Sequence, residues 1–247
     1  VGKADYGVDA PGVVRNLFVT AGLLLAALVF GPPRVGPFDA AGARLTIELR
    51  GMFAGGAVSC LLGGALMILY AEWGKFRHRD RMLALIPWTG AETVLDVGTG
   101  RGLLALGAAK RLRTGTVVGI DVWNPRDLSG NTADAFLANA EAEGVAERIE
   151  VRNGDARAMP FPDESFDVVL SNVCLHNIPD ARGRAEACHE IARVLKRGGV
   201  ALVSDFVRTA DYARSFEAAG LAVTRTGPHL VDVFPPLRIV RATKSAA

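Results

Sequence analysis

One run holds the residues best placed to do chemistry: Asp96-Val97-Gly98-Thr99-Gly100-Arg101-Gly102-Leu103, closing a short apolar stretch and opening a helical one. Glycines spaced in this way let a ligand touch bare backbone where a strand gives way to a helix. A dinucleotide fingerprint, G-x-G-x-x-G, would place its third glycine one position later and seat a pyrophosphate on the helix N-terminus. Here the third glycine comes early and an acidic residue precedes the turn. That pattern suits a nucleoside that carries positive charge and no phosphate.

S-adenosylmethionine is such a ligand, because its sulfonium and ammonium groups are cationic and its ribose offers hydroxyl donors. Asp121, which closes a second strand in Gly119-Ile120-Asp121, can accept from those hydroxyls. Asp155, in Asn153-Gly154-Asp155-Ala156, can accept from the adenine amine, and Val122 can lie against one adenine face. Methyl transfer from a sulfonium is an in-line displacement, so the protein must align nucleophile and methyl group and keep water out. No metal is expected in that step. Oxygen and carbon nucleophiles also lose a proton, and His176, in Ser171-Asn172-Val173-Cys174-Leu175-His176-Asn177, is the candidate base. A histidine at such a place more often caps the next helix or braces the loop. Asp205 and Tyr212 follow the fifth strand and can face the substrate, but a strand-end Asp commonly caps the next turn, and both stay outside the catalytic set.

The elements that must position these residues alternate from Thr93 onward. Short apolar runs occur at 94–97, 117–120, 149–152, 168–171, 200–204, 222–226 and 237–242, with helical stretches near 103–112, 132–143, 181–195 and 212–219. Strand and helix in alternation imply a parallel sheet covered on both faces, an α/β fold. The turn Lys196-Arg197-Gly198-Gly199 should end one helix and launch the next strand. Pro235-Pro236 should turn the last two strands into a hairpin.

The first third of the chain is different. Half of the 247 residues are apolar and the mean hydropathy is +0.24, more than one aqueous core requires. The excess lies in Leu17 to Gly31 and in Gly51 to Ala71, neither of which contains a charged residue. The second is long enough to span a bilayer, and the first becomes so if Val13 and Val14 extend it and Arg15 snorkels. We therefore expect a transmembrane hairpin with helices at about 13–31 and 51–71. A cleaved signal peptide and a soluble dimer core are its rivals. Gly51, Gly55, Ser59 and Gly63 form a face for close helix packing, against the first helix or a second copy of the chain. Trp73 and the basic run Lys75 to Arg81 read as an interfacial linker, residues 76–92, which places both termini and the catalytic domain on the cytoplasmic side of the inner membrane.

A net charge of +2 leaves no field to hold a nucleic acid. Cys60, Cys174 and Cys188 have neither a metal nor a disulfide spacing.

From Thr93 to Lys244 the chain resembles the class I S-adenosylmethionine-dependent methyltransferases, in particular the small-molecule group with quinone-biosynthesis and arsenite methyltransferases. The ordered series that carries the resemblance is Val94 to Gly102, Gly119-Ile120-Asp121, Gly154-Asp155-Ala156, Phe166-Asp167-Val168-Val169, Leu175-His176-Asn177 and Arg193 to Gly199. Arg197 stands where that family usually has proline. The resemblance implies a seven-stranded, doubly wound Rossmann-like sheet over residues 93–247, with the last strand antiparallel and the cofactor across the carboxyl ends of strands one to four. By position it implies Asp96, Gly98 and Gly100 at the methionine end, Asp121 at the ribose, and Asp155 with Ala156 at the adenine. Asn172, at the fourth strand end, completes the cofactor-contacting set. No long insertion offers a substrate lid, so the N-terminal segment of residues 1–75 is left to supply a wall.

The resulting expectation is a membrane-anchored enzyme that moves a methyl group from S-adenosylmethionine to a small hydrophobic acceptor: a quinone precursor, a lipid or isoprenoid, or a thiol. A nicotinamide-dependent oxidoreductase and a non-catalytic cofactor-binding membrane scaffold are the alternatives.

Overall fold

The computed structural model describes residues 2–40 and 43–246. Helix α1 (Pro11–Phe30) leads through a two-stranded antiparallel ribbon, β1 (Arg34–Ala40) and β2 (Ala43–Glu48), into α2 (Leu49–Leu69). The ribbon was not anticipated. Its Val35, Phe38, Leu45 and Ile47 are exposed, and Arg34 pairs with Glu48 at 2.7 Å. The α1 and α2 helices run antiparallel: a Cβ added at Gly56 would stand 3.0 Å from Leu24, and one at Gly64 would stand 2.9 Å from Phe18. The glycines facing α1 are thus Gly56, Gly64 and, at the end of the expected face, Gly63, whose Cβ would stand 3.8 Å from Leu17, whereas Gly51 and Gly55 have nothing within 4 Å.

A single π-helical turn, Tyr70–Gly74, joins α2 to α3 (Lys75–Leu83), and the whole forms a helix of 35 residues. Here the structure departs from the expected interfacial linker. Lys75, His78, Met82 and Leu83 are buried, and His78 Nε2 lies 2.7 Å from Ser204 Oγ. The basic run therefore covers one face of the sheet instead of lying free in a headgroup layer. Only its outer side stays exposed, where Arg77 stacks on Trp73 at 4.0 Å.

The sheet has seven strands: β3 (Thr93–Val97), β4 (Thr116–Asp121), β5 (Ile149–Asn153), β6 (Phe166–Asn172), β7 (Leu195–Asp205), β8 (Ala222–His229) and β9 (Leu237–Thr243). Their order is β5-β4-β3-β6-β7-β9-β8, with the first five parallel and β9 antiparallel to both neighbours. The connecting helices are α4 (Leu103–Ala109), α5 (Ala133–Ala142), α6 (Ala181–Val194) and α7 (Thr209–Ala218). The side chains of Thr132 and Asp180 cap α5 and α6 by accepting from Ala135 N and Gly183 N.

The central strands are buried on both faces, which is why they read as unbroken apolar runs. Alternate residues serve two cores: Val94 packs with Leu104, Phe136 and Met82, while Leu95 packs with Ile191 and Phe216. The turn expected at 196–199 lies inside β7 as an excursion. Phe166 pairs with Leu195 and Val168 with Val200, so the intervening residues bulge out of the ladder.

Candidate active site

The strand order changes direction beside β3, whose neighbours are β4 and β6, and such a switch point opens a crevice at the carboxyl ends of the strands. A cavity of about 270 Å³ lies there, and Asp96, Gly98, Gly100, Asp121, Val122, Asp155, Ala156 and Asn172 all line it. All eight residues singled out from the sequence thus come together at one site.

The glycine turn has the geometry that its spacing requires. Gly98 has φ +71°, and a Cβ there would meet Cys174 Sγ at 2.1 Å. Gly102, at φ +89°, opens α4 with Phe136 packed close beneath it. That positive φ accounts for the early third glycine.

Asp96 is buried, and its Oδ2 accepts from Thr99 Oγ1 at 2.8 Å and Ala105 N at 3.0 Å. Burial pushes its carboxyl up to about 7. Asp121 Oδ2 accepts from Gly100 N at 2.8 Å and Oδ1 from Trp123 N at 2.7 Å, which ties the second strand end to the turn and leaves lone pairs for a ligand. Asp155 is gripped by its neighbour Arg157, whose Nη2 donates to Oδ2 at 2.6 Å and whose guanidinium holds the carboxyl below the usual range. The Cys174 thiol is pushed up by burial and is no ready nucleophile.

Three acceptor atoms at this cavity, Asp9 Oδ2, Asn131 Oδ1 and Asn172 Oδ1, are buried without a hydrogen-bond partner among the described residues. Such a lining asks for a ligand rich in donors and positive charge, which fits the hydroxyls, amines and sulfonium of S-adenosylmethionine.

His176 sits between the cavity-lining residues Cys174 and Asn177. Its Nδ1 is 3.0 Å from Asp205 Oδ1, and Asp205 is fully buried and also accepts from Tyr212 Oη at 3.2 Å. The carboxylate fixes the ring and leaves Nε2 as the nitrogen for a substrate proton. Asp205 was read as capping the next turn, and it does accept from Phe206 N at 2.9 Å and His176 N at 3.3 Å; the same carboxylate also contacts the His176 ring, which the sequence reading did not foresee. The two lie 29 residues apart, and no local spacing links them.

The sequence reading also missed the wall-forming residues of the N-terminal segment. Residues 2–10 run as a strap across the cavity, to which Tyr6 and Asp9 contribute directly. Val8 N donates to Ser129 Oγ at 2.8 Å, Ala10 N to Asp127 O at 2.9 Å, and Asp9 forms a bridge with Leu128. The absence of a lid insertion was the one signal of it.

Known proteins resemble this part of the chain in sequence and in fold. A family profile described as a methyltransferase domain matches residues 95–203, which span β3 to β7. By that match residues 95–203 of the chain form an S-adenosylmethionine-dependent methyltransferase domain. The chain is 31% identical over 66% of its length to 56% of the 27-O-demethylrifamycin SV methyltransferase of Amycolatopsis mediterranei. It is 35% identical over 51% of its length to 50% of the demethylmenaquinone methyltransferase of Lactiplantibacillus plantarum. The chain thus spans about half the length of the curated relatives it matches. The crystal structure of the YcgJ protein of Bacillus subtilis shares the fold, with a TM-score of 0.55 at 19% identity over 68% of this chain and 97% of that one. The cofactor of this methyltransferase domain is S-adenosylmethionine. The profile ends before β8 and starts after the hairpin and strap, which lie outside the matched core.

Proposed function

We propose that the chain is a membrane-anchored small-molecule methyltransferase whose acceptor is hydrophobic and loses a proton from oxygen or carbon as the methyl group arrives. The observation that carries this reading is the His176–Asp205 pair beside the cofactor cavity. A thiolate or arsenite acceptor would need no such base. Asp96, Gly98 and Gly100 would hold the methionine end of the cofactor, Asp121 the ribose, and Val122, Asp155 and Ala156 the adenine, with Asn172 at the rim. When bound, the cofactor supplies the electrophilic methyl group. The protein orients the acceptor, takes its proton at His176 Nε2 and excludes water.

Supporting the anchor, α1 has 20 residues and α2 has 21, about 30 Å each at 1.5 Å per residue, which matches a hydrocarbon core. Their apolar side chains face outward: Leu23 is 67% exposed, Val29 69% and Met52 63%. Residues 2–10 and 70–83 both pack on the catalytic domain, so the hairpin enters and leaves on the same side, as two spans with a cytoplasmic domain would. Tyr70, at the end of α2, clusters with Val173, a cavity residue, so an acceptor dissolved in the bilayer would have a short path to the site. The face of Gly51 and Gly55, open in this chain, would serve self-association.

Alkaline extraction of cell membranes tests the anchor: the chain is expected to stay in the pellet, and release into the supernatant would refute it. For the base, Asp205→Asn should depress turnover and leave cofactor affinity intact.

A further inference from the structure

Lys75 is a buried lysine at the start of α3, and its Nζ donates to the carbonyls of Tyr6, at 3.0 Å, and Gly7. It clamps the strap by two of its three N–H groups. Asp9, the next acidic group along the strap, lies 4.0 Å from Nζ, too far for a hydrogen bond. Its Oδ2 is buried and unpartnered among the described residues, yet a third of the side chain is open where it lines the cavity. Burial raises this carboxyl and Lys75 compensates it from one side only, so a second cation reaching it from the cavity side would hold it ionised.

The strap's other contacts say which part of the cofactor that cation belongs to. Asp5 pairs with Arg101 at 3.0 Å, and Asn139 Nδ2 donates to both Asp5 O, at 2.7 Å, and Arg101 O, at 2.9 Å. Asp5 thereby bolts the strap to the Gly98–Gly102 turn, and Asp9 itself bridges Leu128, whose side chain would stand 3.0 Å from a Cβ on Gly100, so both anchor points lie beside that turn, the amino-acid end of the site. We propose that Asp9 is the counter-ion of the cofactor's α-ammonium group, held in place by Lys75 through the strap. The assignment adds to the site a residue that lies outside the matched methyltransferase domain and immediately before α1. It rests on the cofactor and is independent of the acceptor and of His176.

The test is calorimetric titration of the full chain in detergent micelles, without acceptor, using S-adenosylmethionine and S-adenosylhomocysteine in turn. The two share the α-ammonium and differ in the sulfonium charge. Asp9→Asn keeps the shape and removes the charge, and it should weaken both ligands by at least about tenfold. Unchanged affinities would overturn the proposal. So would a loss confined to S-adenosylmethionine, which would turn Asp9 toward the sulfonium. Hydrogen exchange reads the fold separately: the ligand-free variant should keep wild-type protection at the Val8 and Ala10 amides. Loss of that protection alongside the loss of affinity would make Asp9 a strap-folding residue and overturn its role as counter-ion.

Discussion

Helices α1 and α4 are both predominantly apolar and rich in leucine and alanine, yet α1 buries two of its 20 residues and α4 buries six of its seven. Composition alone does not say which way an apolar side chain faces. In the sheet domain the alternation of strand and helix supplies a partner for every apolar face. In the hairpin each helix has one partner, and the rest of its circumference is left bare. A protein in water rarely exposes apolar surface so continuously, and a bilayer solvates it without cost.

The domain half of this contrast breaks most severely at its chemistry. His176→Ala should lower turnover by about 10²- to 10⁴-fold while the dissociation constant of S-adenosylmethionine, measured by calorimetry, stays within about twofold. Next comes the core. Phe136→Ala, at a side chain fully buried beneath the glycine turn, should cost about 3–5 kcal/mol in denaturant unfolding, whereas Leu23→Ala on α1 should leave the domain's unfolding within about 0.5 kcal/mol.

Within the hairpin the two rows of small residues should differ. Gly64→Leu would collide with Phe18 and should cost the α1–α2 pairing about 1–3 kcal/mol, read as lost cross-linking between cysteines placed on the two helices. Gly55→Leu meets nothing in this chain and should leave that cross-link unchanged, so its failure would show that the open row packs inside the chain after all.

The smallest effect is one of pH. Because burial holds Asp96 up to about 7, the carboxyl is neutral below that pH and attracts a cation poorly. Affinity for S-adenosylmethionine should therefore rise with pH, by up to about tenfold per unit below 7, and level off above it. The ligand-free protein should behave oppositely. A folded-state pKa above the usual 3.8 means that the native state holds a proton the unfolded chain has released, so stability falls as pH climbs from about 4 to 7.

The same contrast governs how much could be read in advance. All seven strands of the sheet, and its four helices after β3, were legible because central strands buried on both faces must be apolar runs, and the runs end at polar residues or glycine: Gly98, Asp121, Asn153, Asn172, Asp205, Gly227 and Thr243. The cavity lining was legible because Asp121, Asp155 and Asn172 stand at or just beyond the ends of those runs and Asp96 one residue before one. Lys75 and His78 misled because basic residues after an apolar helix usually mark a headgroup layer, and these two are buried instead. The strap was illegible beyond the expectation of a wall, since residues 2–10 have no periodicity and hold their place through hydrogen bonds to Ser129, Asp127 and Asn139. The ribbon went unread because its alternating Val35 and Phe38, Leu45 and Ile47 stand among arginines that suggest an open loop.

The central claim, that the domain methylates a molecule delivered from the membrane, is tested most directly by isotope. Full-length protein in vesicles is incubated with methyl-labelled S-adenosylmethionine and cell lipid extract, with His176→Ala as the control. The account predicts label in the lipid-extractable fraction that depends on wild-type enzyme. Label confined to the aqueous or volatile fraction, or equal transfer by the variant, would contradict it.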